Sequence, residues 1–380
     1  MKYKYNYTNM NNKTDYCNIP PTIESKIGKN LHNQTNHPIE IMKRKLFNYF
    51  KNLQGYEFAY FDDIQPFVNT IDNFDKLLIP QNHVARSKSD TYYVNENTVL
   101  RTHTSAHQNQ LFEQGYHNFL VVGDVYRKDE IDCCHYPVFH QIEGVGRVPD
   151  NVDPKEELIK VLNGLVEYLF PGCKYRTNPD YFPFTEPSFE YEVEYRGKWL
   201  EILGCGVVHK NILENNNLDG QYWAWGIGLE RLVMIQFDIP DIRYLWSEHE
   251  KFLGQFASGE VVTFKPYSAL PSMYKDISFW IPQNKIVEVT TDKGEEIKKW
   301  LDENDFYELA REFIGDWIEK IELMDQFFHA KKCMTSRMYR ILYSPTDPNL
   351  IDPSKFTEIC NKLQDNFRYI VKEKLDVVLR

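Results

Sequence analysis

The segments FLVVGDVYR at 119–127 and VFHQIEG at 138–144 decide the fold class. Both have the length and the apolar content of a β-strand, and a polar segment joins them, so they predict an antiparallel pair. Outward from this pair, FEYEVEYRGKWLEIL at 189–203 alternates around Arg196-Gly197 and predicts a hairpin. The first part of the chain is therefore expected to contain an antiparallel sheet.

Helical patterns stand beside these strands without regular alternation. Pro38 opens a helix whose apolar positions recur every three to four residues. Residues 154–169 also predict a helix, ended by Pro171-Gly172, and residues 228–239 predict another after a buried strand. Because strands and helices do not alternate as βαβ units, the pattern favours an α+β domain, an antiparallel sheet flanked by helices.

A second domain is expected at the C-terminal end. Residues 253–270 contain two glycines and a proline, as is typical of a linker, and beyond them the order of elements changes. Strands at 276–281, 317–328, 336–344 and 376–379 are interrupted by helices at 303–316 and 353–375. This β-α-β-β-α-β order is typical of a ferredoxin-like domain. We therefore expect a tail or transit remnant at 1–21, a first domain at 22–252 and a second at 271–380.

The composition limits the possible partners. The net charge of −11 disfavours a protein that coats duplex DNA, and no stretch approaches about 18 apolar residues, so we expect no membrane partner. The seven cysteines lack C-x-x-C spacing, so we expect no structural zinc or other resident metal and a reducing compartment. Residues 329–345 carry Lys331, Lys332, Arg337 and Arg340 without any acid. This segment is either a nucleic-acid contact or a solvated charged face.

Polar side chains on the predicted strands form a candidate pocket. Side chains two positions apart share a face of a strand, so Phe139, Gln141 and Glu143 point the same way. We expect the segment RTHTS at 101–105 to be a strand that carries His103 and Ser105 on one face. The carboxylate and the amide suit a ligand ammonium group. Taken alone, His103 can equally be a structural histidine.

Aromatic and cationic residues suggest what else such a pocket binds. Phe182 and Phe184 flank a proline and suit a flat apolar group, although either ring can also belong to the core. Arg127 ends a strand, and Arg231 follows a glycine-rich entry to a helix. Guanidinium groups bind phosphate and stack on flat rings, and helix N-termini attract anions. The alternative for each arginine is a surface ion pair.

These residues carry a resemblance to class II aminoacyl-tRNA synthetases. Residues 126–129 with 139–141 resemble motif 2 of that class, residues 226–232 resemble motif 3, and the helix at Pro38 resembles motif 1. More narrowly, the chain resembles the single-chain, organellar phenylalanyl-tRNA synthetases. That resemblance is carried by LRTHTSAHQ (100–108), VFHQIEG (138–144), FPFTEPSFE (182–190), WLEILGCG (199–206), GLERL (228–232) and IPDIRYLW (239–246).

The resemblance implies an activity and its partners. Phenylalanine would attack the α-phosphate of ATP, with Mg²⁺ accompanying the ATP, and the adenylate would then acylate tRNA(Phe). It also implies a class II catalytic domain, a C-terminal anticodon-binding domain, a monomer and a mitochondrial matrix enzyme, with a plastid-like organelle as the alternative. Competing hypotheses are a non-catalytic relative that binds RNA, and a synthetase for tyrosine or tryptophan.

The resemblance also assigns roles to residues. Arg127 would be the catalytic residue, bridging the α-phosphate and the substrate carboxylate. The implied phenylalanine-binding residues are His103, Ser105, Gln141, Glu143, Phe182, Phe184 and Ala224. The implied ATP-binding residues are Arg127, Asp129, His135, Phe139, Arg231 and Glu201. Asp129 departs from the glutamate that is usual in motif 2, and the implied tRNA contacts are Lys331, Lys332, Arg337 and Arg340.

Overall fold

A computed structural model describes residues 16–267, 272–290, 296–346 and 353–380. Most of the predicted tail, up to residue 15, and the end of the predicted linker, residues 268–270, lie outside this range. The chain divides into two compact units. The first contains residues up to His32, Lys43–Arg127 and Val138–Leu229, and the second contains Asn33–Met42, Lys128–Pro137 and Glu230–Arg380.

The first unit is built on a large sheet. Its strands are β1 (Ala59–Phe61), β2 (Phe67–Asn69), β3 (Tyr93–Asn95), β4 (Thr98–Leu100), β5 (Phe119–Tyr126), β6 (Val138–Arg147), β7 (Tyr175–Asp180), β8 (Thr185–Tyr195), β9 (Lys198–Val208) and β10 (Tyr222–Gly228). The helices up to residue 237 are α1 (Pro21–Glu24), α2 (Pro38–Lys51), α3 (Thr70–Asn73), α4 (Gln108–Glu113), α5 (Pro154–Leu169), α6 (Lys210–Asn215) and α7 (Leu229–Phe237).

Seven of these strands form one sheet in the order β1-β5-β6-β10-β9-β8-β7. β1 is parallel to β5, and the other neighbours are antiparallel. This architecture confirms the predicted α+β class, including the β5–β6 pair and the β8–β9 hairpin. The hairpin turn places Arg196 at φ 51° and Gly197 at φ 76°, and such left-handed angles at both positions match the twist of the flanking strands.

The segment at 101–105 is not the strand that the sequence predicts. β4 ends at Leu100, and Thr104–His107 form a short 3₁₀ helix. Directly after β4, the Arg101 side chain is buried in an ion pair. Its Nη2 lies 2.6 Å from Asp124 Oδ1, and its Nε donates to the Asp124 carbonyl at 2.6 Å. The alternation of His103 and Ser105 therefore reflects a turn beside the sheet.

The second unit has its own sheet and core. Its elements after residue 237 are α8 (Glu250–Leu253), β11 (Met273–Pro282), β12 (Ile286–Thr290), β13 (Glu296–Trp300), α9 (Glu303–Phe313), β14 (Ile318–His329), β15 (Met334–Tyr343), α10 (Phe356–Leu375) and β16 (Val378–Leu379). Four strands form a sheet in the order β14-β15-β11-β16, and the antiparallel pair β12–β13, which the sequence did not predict, is separate.

The core of the second unit joins this sheet to α9 and α10. Phe279, Phe306, Tyr339 and Phe367 lie in one buried cluster. Ile131, which precedes the sheet by more than a hundred residues, belongs to the same cluster, and its carbonyl accepts a hydrogen bond from Ile321 N at 2.9 Å. Within the described ranges, no helix combines the length and apolar character required to cross a bilayer.

Candidate functional site

The register of three neighbouring strands creates an open area on one face of the large sheet. Glu143 of β6 pairs with Gly226 of β10, which pairs with Gly204 of β9, and Gln141 pairs with Gly228. Directly paired residues point to the same face. A Cβ added at Gly226 or Gly228 would meet no described heavy atom within 4 Å. The glycines therefore leave room for a ligand beside the two polar side chains.

Hydrogen bonds at one end of this area organise the polar groups. Glu143 is buried and accepts hydrogen bonds from the hydroxyls of Ser105 and, at 3.4 Å, Thr104. Thr104 N donates to Gln141 Oε1 at 3.3 Å. Burial raises the pKa of Glu143 to about 7, against the two hydroxyl hydrogen bonds, which favour the carboxylate. Since no cation among the described residues shifts the pKa of this carboxyl, a ligand ammonium would supply the positive charge.

His103 lies at the same end and remains neutral. Its ring nitrogens are buried, and within the described part of the chain neither makes a hydrogen bond of good geometry. Burial, assisted by the positive charge of Arg127, lowers the pKa of His103 to about 3. A buried ring nitrogen without a partner is costly, so this imidazole is suited to a polar ligand atom.

Two stacked phenylalanines border the glycines. The ring centroids of Phe182 and Phe184 are 5.9 Å apart, and the Phe184 ring lies 6.3 Å from that of His103. Phe182 sits directly over Gly204, where an added Cβ would lie 2.6 Å from its Cζ. Ala224 is buried on the same face, two residues before Gly226, in the cluster against which Phe184 packs. These residues form an apolar wall with a small side chain at its base.

Arg127 is held next to this area. Its Nε donates to the Thr102 carbonyl at 2.6 Å, and its guanidinium carbon lies 5.3 Å from the centroid of the Phe139 ring. Phe139 shares the face of Gln141 and Glu143 on β6, as the sequence predicted. An oriented guanidinium on an aromatic face is suited to bind an anion and a flat ring.

Glu201, another predicted ATP-binding residue, is exposed on β9, three residues before Gly204.

The remaining predicted ATP-binding residues, Asp129, His135 and Arg231, belong to the second unit. His135 Nδ1 lies 2.8 Å from Asp132 Oδ2, and this hydrogen bond raises the pKa of His135. Arg231 is exposed on the first turn of α7, and its charge opposes protonation of His135. The Asp129 carbonyl accepts a hydrogen bond from Arg311. The segment 128–137 therefore presents a histidine in an ordered loop.

The candidate tRNA contacts differ in exposure. Lys331 and Lys332 are exposed in the turn between β14 and β15, and Lys332 Nζ lies 4.4 Å from the centroid of the Trp280 ring. Arg340 is half-buried and forms a two-point ion pair with Asp276. Arg337 is buried, with Nη1 2.6 Å from Glu303 Oε1, so a tRNA phosphate would have to compete with this ion pair.

Sequence patterns missed three contributors to this site. Thr104 binds both Gln141 and Glu143, but its role depends on the 3₁₀ turn that the sequence did not predict. Gly204 and Gly206, to which the sequence patterns assign no role in the pocket, lie within β9 next to β10. Their spacing of two residues, which puts both on one face of a strand, was the available signal.

Comparison with known proteins agrees with this geometry. Residues 22–256 match the family of tRNA synthetases class II core domain (F). The large antiparallel-rich sheet and its pocket thus define a class II synthetase core. A chloroplastic/mitochondrial phenylalanine–tRNA ligase of Arabidopsis thaliana is 45% identical over 96% of this chain and 82% of its own length. The mitochondrial phenylalanine–tRNA ligase of Mus musculus is 42% identical over 87% of this chain and 79% of its own length. That of Saccharomyces cerevisiae is 33% identical over 92% of this chain and 91% of its own length. The chain belongs to the organellar phenylalanine–tRNA ligase family.

Proposed function

We propose that the chain attaches L-phenylalanine to tRNA(Phe) in organellar translation, through a phenylalanyl-adenylate formed from ATP. The observation that carries this proposal is the open glycine face with a carboxyl group at one end and a stacked phenylalanine pair beside it. An amino acid presents an ammonium at one end and, in phenylalanine, a flat apolar ring at the other. Membership in the phenylalanine–tRNA ligase family supports the same substrate.

The proposed amino-acid pocket uses residues of the first unit. Glu143 and Gln141, with Ser105 and His103, would bind the polar end of phenylalanine. Phe182 and Phe184 would pack against its ring, and Ala224 would limit the depth of the pocket. The hydrogen bonds of Glu143 with Ser105 and the buried nitrogens of His103 support these roles.

The proposed ATP site extends from Arg127. Arg127 would bridge the substrate carboxylate and the α-phosphate, and we propose Phe139 and Arg231 as partners of the adenine ring. Asp129 would recognise the adenine amino group, His135 would contact the distal phosphates, and Glu201 would act near the phosphates and Mg²⁺. Synthetases of this family use ATP with Mg²⁺ generally. Catalysis would consist of positioning and charge stabilisation, since the adenylation step needs no protein nucleophile.

Phenylalanine-dependent exchange of pyrophosphate into ATP tests this activity. Exchange with phenylalanine is expected, whereas a folded chain without exchange would favour the RNA-binding alternative. Tyrosine and tryptophan in place of phenylalanine test the other two substrates, and faster exchange with either would contradict the proposal. Expression of a tagged chain tests whether it localises to mitochondria or to a plastid-like organelle.

Phenylalanine binding should depend on pH through Glu143. The carboxylate form attracts the ligand ammonium, and the pKa of Glu143 is raised to about 7 by burial. Raising the pH from 6 to 8 should therefore lower the KM for phenylalanine as Glu143 loses its proton. In Glu143→Gln the KM should be about tenfold to 100-fold higher and nearly independent of pH in this range, because a charged hydrogen bond worth about 1.5–3 kcal/mol is lost. A wild-type pH dependence retained in the variant would contradict this role.

We propose that the second unit contains a ferredoxin-like anticodon-binding domain at 271–380, joined through 253–270 to a catalytic domain at 22–252, in a monomeric enzyme. The order β14-β15-β11-β16 and the helices α9 and α10 between strands support the ferredoxin-like assignment. Lys331 and Lys332, exposed at the β14–β15 turn, are the strongest candidates for tRNA phosphate contacts. Arg340 is a weaker candidate because Asp276 already binds it.

Charge reversal at both lysines tests the proposed tRNA contacts. Lys331→Glu with Lys332→Glu should weaken tRNA(Phe) binding at least about tenfold. The slope of log affinity against log salt concentration should become shallower by the contribution of about two phosphate contacts. Pyrophosphate exchange, which needs no tRNA, should be unchanged. Lys362→Glu with Lys372→Glu, two exposed changes on α10, alters the net charge by the same amount and is the matched control. Equal weakening by the control would argue against a local contact.

A further inference from the structure

Two adjacent cysteines form a close thiol pair in the loop 128–137. The sulfur atoms of Cys133 and Cys134 are 3.6 Å apart, and Cys134 is exposed. The loop is fixed on both sides within the second unit. Ile131 is buried in its core, Tyr136 OH donates to Asp316 Oδ1 at 3.0 Å, and the Cys133 carbonyl accepts from Ile242 N at 2.8 Å. The two thiols are thus held together by the fold around them.

The two thiols are chemically unequal. The hydrogen bond between the two thiols and the positive charge of Arg231 lower the pKa of Cys134 to about 7. The same hydrogen bond and burial raise the pKa of Cys133. An exposed cysteine with thiolate character next to a second thiol has the properties of a peroxide-sensitive pair. Neither cysteine has a part in the proposed aminoacylation chemistry.

We propose that Cys133 and Cys134 are a reversible oxidation site, at which hydrogen peroxide converts the two thiols into a disulfide between adjacent residues. The Cys134 thiolate attacks one peroxide oxygen, which gives a sulfenic acid and, after proton uptake, one water. Cys133 then attacks the Cys134 sulfur, loses its proton and expels the second water. Two electrons pass from the sulfur atoms to peroxide, and a thiol reductant reverses the reaction by exchange.

The geometry explains why this bond would be reversible. Adjacent Cα atoms are about 3.8 Å apart, which is below the roughly 4.4–6.8 Å that most disulfides span. The disulfide is therefore strained, and strained, exposed disulfides are readily reduced.

Oxidation would also disturb the neighbouring histidine. Asp132 Oδ1 accepts hydrogen bonds from Cys134 N at 2.6 Å and His135 N at 2.7 Å. Drawing the sulfur atoms together requires rotation of the peptide between the cysteines, which weakens these bonds and displaces His135. The effect on activity depends on the proposed function, in which His135 contacts the distal phosphates of ATP. Oxidation should then weaken ATP binding.

Peptide mass measures the modification independently of activity. The full-length chain is treated with hydrogen peroxide, alkylated and digested with trypsin. The tryptic peptide 129–147 contains no cysteine besides these two. We expect it to be two hydrogens lighter than the reduced peptide and to carry no alkyl group. A peptide that stays fully alkylated, or that carries an oxidised Cys134 with an alkylated Cys133, would overturn the proposal.

The kinetics of pyrophosphate exchange measure the effect of oxidation on ATP binding. Oxidation should raise the KM for ATP about tenfold or more, equivalent to the loss of one charged hydrogen bond, and dithiothreitol should reverse the change. A double variant, Cys133→Ser with Cys134→Ser, should be active and unaffected by peroxide, whereas Cys173→Ser, at another exposed cysteine, should respond like the wild type. An unchanged KM in disulfide-containing protein would overturn the link to ATP. If the reduced chain lacks exchange, the proposed function fails, while the peptide mass still decides the oxidation site.

Discussion

Replacing Arg127 by alanine should reduce phenylalanine-dependent pyrophosphate exchange by about 10³-fold or more. The Nε hydrogen bond to the Thr102 carbonyl, 2.6 Å long, orients the guanidinium before substrate arrives. A preoriented cation that stabilises charge on a reacting phosphate typically contributes about 10²–10⁵-fold to the rate. Adenylation on this chain is proposed to rely on positioning and charge stabilisation and on no protein nucleophile. Loss of the Arg127 guanidinium should therefore directly lower the rate of adenylate formation.

The control variants separate this role from a general change in charge. Arg147→Ala removes an exposed arginine at the end of β6, and it should leave exchange near the wild-type level. Arg127→Lys keeps the positive charge but loses the planar pair of donors, so its activity should fall between wild type and Arg127→Ala. Circular dichroism and thermal unfolding check that each variant is folded. Near-normal exchange in Arg127→Ala would show that another group neutralises the α-phosphate.

Local sequence patterns were sufficient to predict the elements that are determined by interactions between residues close together in the chain. The β5–β6 pair follows from two apolar segments of strand length, and the β8–β9 hairpin follows from alternation around Arg196-Gly197. The helix α5 begins at Pro154 after Asp153, whose side chain accepts from the amides of Lys155 and Glu156. In each case the signal and the structure lie within a few residues of each other.

The features that the sequence patterns did not predict involve interactions between residues far apart in the chain. The turn after β4 begins beside the buried pair of Arg101 and Asp124, which are 23 positions apart. Arg337 belongs to a basic segment without acids, which is typical of an exposed surface, but in the structure its guanidinium donates to Glu303 and to the Tyr339 hydroxyl and is buried. A local pattern does not reveal which distant carboxylate a basic side chain will bind. The same limit explains why Thr104 was missed.

The Gly226→Val variant should strongly reduce activity while retaining the stability of the wild type. Gly226 is half-buried in β10, and its added Cβ would meet no described heavy atom within 4 Å. Valine also favours strands, so the midpoint of thermal unfolding should change by no more than about 2 °C. The side chain would instead fill the space between Glu143 and Gly204. We expect kcat/KM for phenylalanine activation to fall about 100-fold or more, a loss of roughly 2.7 kcal/mol in transition-state binding.

Two further variants show whether the space at Gly226 is used by substrate. Gly254→Val introduces the same side chain at another position with no described atom within 4 Å, and it should remain fully active. Gly204→Ala places a methyl group 2.6 Å from Phe182 Cζ, so the ring must move and the KM for phenylalanine should rise more than the KM for ATP. If Gly226→Val were folded and active, phenylalanine would have to bind away from the glycine face. The roles of Glu143, Phe182 and Ala224 would then fail together, because all three are defined by their position around that face.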